Sequence, residues 1–161
     1  MPTPRLPAMK PIRSVSGVPA TIVGTPGDDV ITGTPGNDVI VGLGGNDVIN
    51  GMGGSDLICA GAGDDVVNGN GGDDTENGNG GDDTVNGQGG DDDLNGGLGD
   101  DDLNGGLGDD AEDGGTGTDS CDPTSGTGDD ARSTSSFDGS GTDDECETTD
   151  DASSFVAVAH H

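Results

Sequence analysis

The sequence is poor in aromatic and apolar residues: it has two Phe, no Trp and no Tyr, and 26% of its residues are hydrophobic. That supply is too small for a conventional core to offset the entropy lost on ordering the chain. No Lys or Arg lies between Gly24 and Asp122, and the formal net charge of the 161 residues is −29. Nucleic acids and anionic membrane surfaces are bound by clustered basic side chains, so both are excluded as partners. Multivalent cations are the natural counter-charge.

Catalytic motifs are missing as well. The only histidines are His160 and His161, and the sequence has no HExxH, no GxSxG and no Ser/His/Asp or Cys/His set. Acidic pairs such as Asp64 and Asp65 are frequent, but acid–base catalysis needs a walled pocket that shifts pKa values. Short glycine-rich turns offer no such pocket. We therefore expect no enzyme activity from this chain.

Cysteine is scarce and odd in number, with Cys59, Cys121 and Cys146 lacking any metal-ligand spacing. Two interpretations stay open. Either one disulfide joins Cys121 to Cys146 and leaves Cys59 free, or all three are unpaired thiols.

The chain does contain a nine-residue unit that is repeated eleven times, without a change of register, from Gly24 to Asp122. In the copy at residues 87–95, positions 1 to 9 read Gly, Gln, Gly, Gly, Asp, Asp, Asp, Leu and Asn. Position 1 is Gly except at Ala60, and position 8 is aliphatic in eight copies. Composition alone would indicate a disordered chain. A strict short period instead predicts a solenoid.

Each conserved position of the unit has a physical role. Gly at positions 1 and 4 allows positive φ and leaves carbonyl oxygens uncovered. Asp at position 6 adds a charged oxygen, and carboxylates with carbonyls, without sulfur or imidazole, are the ligand set of Ca²⁺. Positions 7 to 9 predict a three-residue strand. The candidate carboxylate ligands are Asp29, Asp38, Asp47, Asp56, Asp65, Asp74, Asp83, Asp92, Asp101, Asp110 and Asp119. The candidate position-4 ligands are Gly27, Gly36, Gly45, Gly54, Gly63, Gly72, Gly81, Gly90, Gly99 and Gly108.

These residues resemble the RTX family, the haemolysin-type calcium-binding repeats, whose consensus is GGxGxDxUx with U a large aliphatic residue. The copy at residues 42–50 matches it closely, with the second Gly moved to position 3. The resemblance implies an all-β fold: a calcium-dependent parallel β-roll, a right-handed solenoid with two nonapeptides in each turn. It also implies that each Ca²⁺ is held by the position-6 Asp side chains of copies n and n+2 and by nearby turn carbonyls.

Two copies per turn place the inward position-8 residues on two ladders. The first ladder contains Ile31, Ile49, Val67, Val85, Leu103 and Cys121. The second contains Ile22, Ile40, Ile58, Glu76, Leu94 and Glu112. A buried unpaired carboxylate is costly. We therefore expect a local distortion at Glu76 and fraying of the roll at Glu112.

The composition divides the chain into three segments: a Pro-rich, disordered leader at residues 1–20, the roll at 21–122, and an acidic Ser/Thr/Gly-rich tail at 123–161. The apolar C-terminal end of the tail resembles an uncleaved type I export signal of RTX proteins, or else is a strand that caps the roll. Apolar residues at the outward position 7, such as Val30 and Val48, are either strand formers or a surface for self-association or cell-surface contact.

The sequence thus predicts a secreted, extracellular protein that binds several Ca²⁺ ions and folds on binding them outside the cell. The type I secretion machinery is the partner that the resemblance implies for export. The alternative is a C-terminal repeat fragment of an RTX protease, lipase or toxin whose catalytic part is absent.

Overall fold

A computed structural model describes residues 14–15, 18–121 and 131–133. These residues form strands and turns, and no helix. The strands are β1 (Ser14–Val15), β2 (Val18–Pro19), β3 (Ile22–Val23), β4 (Val30–Thr32), β5 (Val39–Val41), β6 (Val48–Asn50), β7 (Leu57–Ala62), β8 (Val66–Gly71), β9 (Thr75–Gly80), β10 (Thr84–Gly89), β11 (Asp93–Leu98), β12 (Asp102–Leu107), β13 (Ala111–Thr116), β14 (Ser120–Cys121) and β15 (Ala131–Ser133). No helix long and apolar enough to cross a membrane occurs among these residues.

The strands stack into two parallel sheets. Strands β4, β6, β8, β10, β12 and β14 form a six-stranded sheet, and β3, β5, β7, β9, β11, β13 and β15 form a seven-stranded sheet. Each strand pairs with the strand two places along the chain, so that Val85 lies between Val67 and Leu103. Consecutive copies therefore alternate between the sheets, and two nonapeptides make one turn. The predicted parallel β-roll is confirmed, with about six turns.

The core consists of one inward side chain from position 8 of each strand. Ile40, Ile49, Ile58, Leu94 and Leu103 are among those with no exposed surface. Both predicted ladders are present. Glu76 takes its place between Ile58 and Leu94 in the seven-stranded sheet, fully buried, and β9 continues through it without interruption.

Strand length differs between the two halves of the roll. Strands β4 to β6 have the predicted three residues, but β7 to β13 have six, because positions 1 to 3 of the next copy join the strand. The prediction of three-residue strands is therefore wrong beyond β6. Pro26 and Pro35 occupy position 3 in the first two copies. Proline has no N–H to donate to a strand ladder, so residues 24–26 and 33–35 do not extend β3 and β4. No proline follows β5 or β6, which are also short.

The predicted fraying at Glu112 is wrong. Strand β13 pairs with β11 over its length, and β14 pairs with β12 at Ser120 and Cys121. Glu112 is buried, and its Oε1 accepts a 2.7 Å hydrogen bond from the Gly105 N–H. A carboxylate with such a donor does not have to leave the interior.

Both flanking segments also contribute strands. In the segment assigned to the leader, β1 and β2 pair as an antiparallel hairpin that lies beside β5 and β7. In the segment assigned to the tail, β15 extends the seven-stranded sheet, with Ala111 opposite Ala131. That pairing is two residues longer than the regular step of the roll. The predicted C-terminal export signal or capping strand lies outside the described residues.

The outward apolar residues have different surroundings on the two sheets. On the seven-stranded sheet, beside the hairpin, Val41 is buried and Leu57 is half-buried. On the six-stranded sheet, Val30 is 84% exposed and Val48 44% exposed. The outward stripe is thus open on one sheet only.

Two of the three cysteines have different states in the structure. Cys121 is disulfide-bonded and Cys59 is a free thiol. The interpretation as three unpaired thiols is therefore wrong. Cys146 lies outside the described residues.

Candidate metal site

The position-6 aspartates stack along both edges of the roll, as the pairing of copies n and n+2 requires. The backbone N–H of each Asp donates to Oδ1 of the Asp two copies later, at 2.8 Å from Asp65 to Asp83 and 2.8 Å from Asp74 to Asp92. Nine such bonds link the eleven residues. From Asp38 to Asp119 these side chains are buried. The repeat therefore packs a file of carboxylates beside its aliphatic ladder.

In most of these aspartates the second carboxylate oxygen, Oδ2, lacks the hydrogen bond that Oδ1 makes. In seven of these residues Oδ2 is buried and receives no hydrogen bond: Asp47, Asp56, Asp65, Asp74, Asp83, Asp92 and Asp101. Buried polar atoms in proteins almost always have a partner. A row of seven charged oxygens without one indicates a ligand that comes from outside the chain.

Position 1 provides the space in front of these oxygens. A β-carbon added to Gly78 would meet Oδ2 of Asp83 and, 2.8 Å away, the carbonyl oxygen of Gly96. At Gly87 it would meet Oδ2 of Asp92 and, 2.7 Å away, the carbonyl oxygen of Gly105. The absent side chain thus leaves a small volume that a carboxylate oxygen and a main-chain carbonyl oxygen both border.

The backbone shows why glycine recurs, and it corrects one expectation. Position 4 has positive φ from Gly45 (95°) to Gly117 (146°), as predicted, but Gly27 and Gly36 do not. Position 1 does not have positive φ in any copy, so the predicted reason for Gly there is wrong. Its function is to admit the oxygens described above. From the third copy onward position 2 has positive φ instead, even where it is Leu43 or Met52.

The position-4 glycines, which are predicted ligands, make close contacts between neighbouring turns. The N–H of Gly63 donates to the carbonyl of Gly80, and the Gly63 carbonyl lies against the Cα of Gly81, a contact that leaves no room for a side chain. Glycine at position 4 therefore allows the backbones of neighbouring turns to pack closely against each other. The carbonyl of position 1 also lies beside the unpaired Oδ2, as at Gly96 and Gly105.

The first two copies satisfy Oδ2 internally. Oδ2 of Asp29 accepts hydrogen bonds from the N–H and hydroxyl of Thr25, at 2.5 and 2.9 Å. Oδ2 of Asp38 accepts the same pair from Thr34, at 2.6 and 2.9 Å. These copies carry Thr-Pro at positions 2 and 3, which is the sequence signal that distinguishes them.

The pKa values of the aspartates follow these contacts. The hydrogen bond from the Thr34 backbone lowers the pKa of Asp38. Burial raises the pKa of Asp47, Asp56 and Asp65, and raises that of Asp74 to about 6 and that of Asp83 to about 7. Neighbouring carboxylates of the same file add to the rise at Asp83, and the Asp65 N–H opposes it. The raised pKa values show that the negative charges of the inner file lack nearby positive charges to balance them.

Position 5 forms a second, outer file that hydrogen-bonds in the opposite direction. Oδ1 of Asp64 accepts the N–H of Asp82, and Oδ1 of Asn46 accepts the N–H of Asp64, both at 3.1 Å. The Oδ1 atom of Asn46 accepts a backbone N–H just as that of Asp64 does, and both side chains are exposed. The outer file therefore caps backbone groups and needs no charge to do so.

Side chains alone do not complete a metal site. Within residues 14–15, 18–121 and 131–133, no group of three or more His, Cys, Asp or Glu side chains could hold a metal ion. A cation at the inner file must therefore take part of its coordination from carbonyl oxygens or water. Orphaned carboxylate oxygens, a cradle that a β-carbon would fill and an all-oxygen donor set fit Ca²⁺.

Comparison with known proteins agrees with this geometry. Residues 23–58, 41–76 and 77–112 match the family model described as RTX calcium-binding nonapeptide repeat (4 copies). The chain belongs to this family. The RTX match extends over more than half of the sequence. No match was found among curated proteins or among solved structures.

RTX membership accounts for the repeat region as a calcium-binding β-roll that is structural rather than catalytic. Sequence reasoning identified the buried Asp file and the n to n+2 pairing. It missed the position-1 carbonyls and the Thr-Pro copies. The replacement of Gly by Thr-Pro in the first two copies is a visible signal for the second of these, but the first depends on which way each carbonyl points.

Proposed function

We propose that this protein folds on binding Ca²⁺, and that the ions bind at the inner file of position-6 aspartates. The row of buried Oδ2 atoms without partners carries the proposal. Each would be a ligand together with turn carbonyls, those of position 1 being nearest, while Oδ1 keeps its hydrogen bond to the neighbouring turn.

Charge supports a switch between an unfolded and a folded state. No Lys, Arg or His lies within residues 18–121, so no basic side chain of this segment opposes the repulsion between its stacked carboxylates. Calcium would supply that positive charge. Because each turn contacts only its neighbours and the ions lie between turns, folding should be cooperative.

Extracellular calcium modules bind at about 10⁻⁴ to 10⁻³ M, well above cytosolic calcium. On this basis we place the folded protein outside the cell, exported through a type I machinery as is typical of RTX proteins. The chain would act as a calcium-dependent module without enzyme activity of its own. If it is a repeat fragment of an RTX protease, lipase or toxin, the same module would fold as part of that larger protein.

The deciding experiment is a calcium titration of the full chain, followed by far-UV circular dichroism, with Mg²⁺ as the control. We expect strand signal to appear cooperatively with Ca²⁺ and not with Mg²⁺, which demands a stricter octahedral geometry and gives up its water reluctantly. Ion counting at saturation should give between seven ions, the number of orphaned Oδ2 atoms, and nine, the number of Asp-to-Asp links. Strand signal that is already complete in chelator at neutral pH would refute the switch.

A further inference from the structure

The copy at residues 69–77 differs from every other copy of the roll, because its inward position-8 residue is a carboxylate with no donor. Glu76 has no exposed surface, and neither Oε1 nor Oε2 receives a hydrogen bond. It lies between the aliphatic rungs Ile58 and Leu94.

Oε1 of Glu76 and the unpaired Oδ2 of Asp74, which belong to the same copy, border the same space in front of Gly69. A β-carbon added to Gly69 would meet Oδ2 of Asp74 and, 2.8 Å away, Oε1 of Glu76. At Gly78 and Gly87 the second oxygen at this point is a main-chain carbonyl. In the Gly69 copy a carboxylate oxygen stands at that place, so two negative oxygens border one small buried volume.

The surroundings of this pair are negative. The charged side chains that act on Glu76 are the carboxylates of Asp74, Asp92 and Asp56. The nearby Gly69 N–H is a neutral dipole and leaves their charge uncompensated. Since residues 18–121 contain no basic side chain, only a cation or a proton from solution can neutralise Glu76 there.

The other inward glutamate shows that a partner is available elsewhere in the same fold. Oε1 of Glu112 accepts the N–H of Gly105, the position-1 residue of its own copy. Glu76 has the equivalent position relative to Gly69 and lies near its N–H, but neither of its carboxylate oxygens has the geometry of a hydrogen bond to it. Its carboxylate instead shares the space of Asp74 Oδ2.

We propose that Glu76 and Asp74 together hold one divalent cation in the middle of the roll, at a site with one carboxylate more than its neighbours. This inference rests on the proposed calcium binding. Calcium affinity in oxygen sites increases with the charge of the ligand set. The Glu76 site is therefore the tightest of the roll and fills first, so that ordering of the turns starts there and spreads to both ends.

The test is retention of calcium by the full chain after equilibrium dialysis at a series of low free calcium concentrations, with ions counted by mass spectrometry. We expect the wild type to keep one equivalent at about tenfold lower free calcium than it needs for the remaining ions. Glu76→Gln, a neutral side chain of the same shape, should lose this early step. Glu112→Gln is the matched control and should keep it.

An unchanged early step in Glu76→Gln would overturn the inference, as would a wild type that shows no early step. A wild type that binds no calcium would instead refute the proposed function. A second measurement does not depend on the variant's folding: the ¹³Cδ chemical shift of Glu76 in the calcium-loaded wild type at pH 7. We expect an ionised carboxylate, and a protonated carboxyl would show that a shared proton, and not a cation, occupies the site.

Discussion

The backbone N–H of Thr34 donates a 2.6 Å hydrogen bond to Oδ2 of Asp38. That contact lowers the pKa of Asp38, whereas Oδ2 of Asp74, at the same position of a later copy, has no donor, and burial raises the pKa of Asp74 to about 6. The inner file therefore contains oxygens that the protein satisfies and oxygens that it leaves for a ligand. The N-terminal copies belong to the first kind.

This difference predicts that Asp38→Asn and Asp74→Asn change different properties of the protein. Asp74→Asn should raise the calcium midpoint of folding, because it removes a charged ligand. Asp38→Asn should leave the midpoint nearly unchanged and lower stability by about 1 kcal/mol, as the loss of a capping carboxylate does. Calcium titrations and melting curves of the two variants measure both quantities. Equal shifts in the midpoint would contradict the division of the file into two kinds.

Adjacent aspartates allow a test of which file binds calcium. Oδ2 of Asp65 is buried and orphaned, and Asp65 would serve two sites, shared with Asp47 and Asp83. Asp64 is exposed and caps only a backbone N–H. Asp65→Asn and Asp64→Asn remove the same charge one residue apart. We expect the first to raise the calcium midpoint about tenfold and the second less than about twofold. A larger effect at Asp64 would assign the ions to the outer file.

Glycine at position 1 should be irreplaceable, in contrast to glycine at position 3. A β-carbon at Gly87 would meet Oδ2 of Asp92 and the carbonyl of Gly105, whereas one at Gly71 would have no atom within 4 Å. Gly87→Ala should therefore destabilise the calcium-loaded roll by about 1–3 kcal/mol through overpacking. Gly71→Ala should be neutral or stabilise it by about 0.4–1 kcal/mol. Chemical denaturation in saturating calcium provides the comparison, and comparable losses would show that Gly87 has no special role.

Met52 is a position where the sequence is not optimal for its backbone. Its φ is 85°, and its side chain is 47% exposed. A left-handed conformation costs a non-glycine residue about 1–2 kcal/mol, part of which glycine gives back in the unfolded chain. Met52→Gly should thus stabilise the folded roll by about 0.5–1 kcal/mol. Asn70→Gly is the control: Asn tolerates this conformation, and its amide donates to Asn50 and to the Asn68 carbonyl. No gain at Met52 would argue against strain.

The pH dependence of the calcium-free protein follows from the buried carboxyls. Burial raises the pKa of Asp83 to about 7 and those of Asp92 and Asp101 to about 6, against 3.8 for an unperturbed Asp. The folded state then binds protons more tightly than the unfolded chain. Its stability therefore rises as pH falls from about 7, and the gain is complete near the unfolded pKa of 3.8.

We expect the strand signal of calcium-depleted protein to increase between pH 8 and pH 4, measured by circular dichroism. Glu76, with its pKa raised to about 9, extends the dependence upward. Glu76→Gln should therefore flatten the part of the curve above pH 7. Loss of strand signal on acidification would contradict these assignments.

The sequence predicts the two sheets, both ladders and the n to n+2 pairing of Asp residues, because the resemblance to RTX repeats implies two copies per turn and the strict period keeps every copy in register. It does not predict the six-residue strands, since joining of positions 1 to 3 depends on whether the neighbouring copies have an N–H to offer. Pro26 and Pro35 remove that N–H in two copies only. The sequence does not predict that Glu112 accepts the N–H of Gly105 while Glu76 lacks such a bond, because this depends on how each side chain is oriented in the interior.

All the hydrogen bonds along the inner file run one way: the N–H belongs to the earlier copy and the carboxylate to the later one, 18 residues on. The two ends of the roll are therefore not equivalent. A roll shortened at its N-terminal side exposes carboxylate oxygens, which water or a cation can satisfy. A roll shortened at its C-terminal side loses acceptors for N–H groups, which no cation can replace. On folding, the N–H groups of one turn are satisfied only when the copy 18 residues downstream has joined the roll, so each turn depends on the turn that follows it.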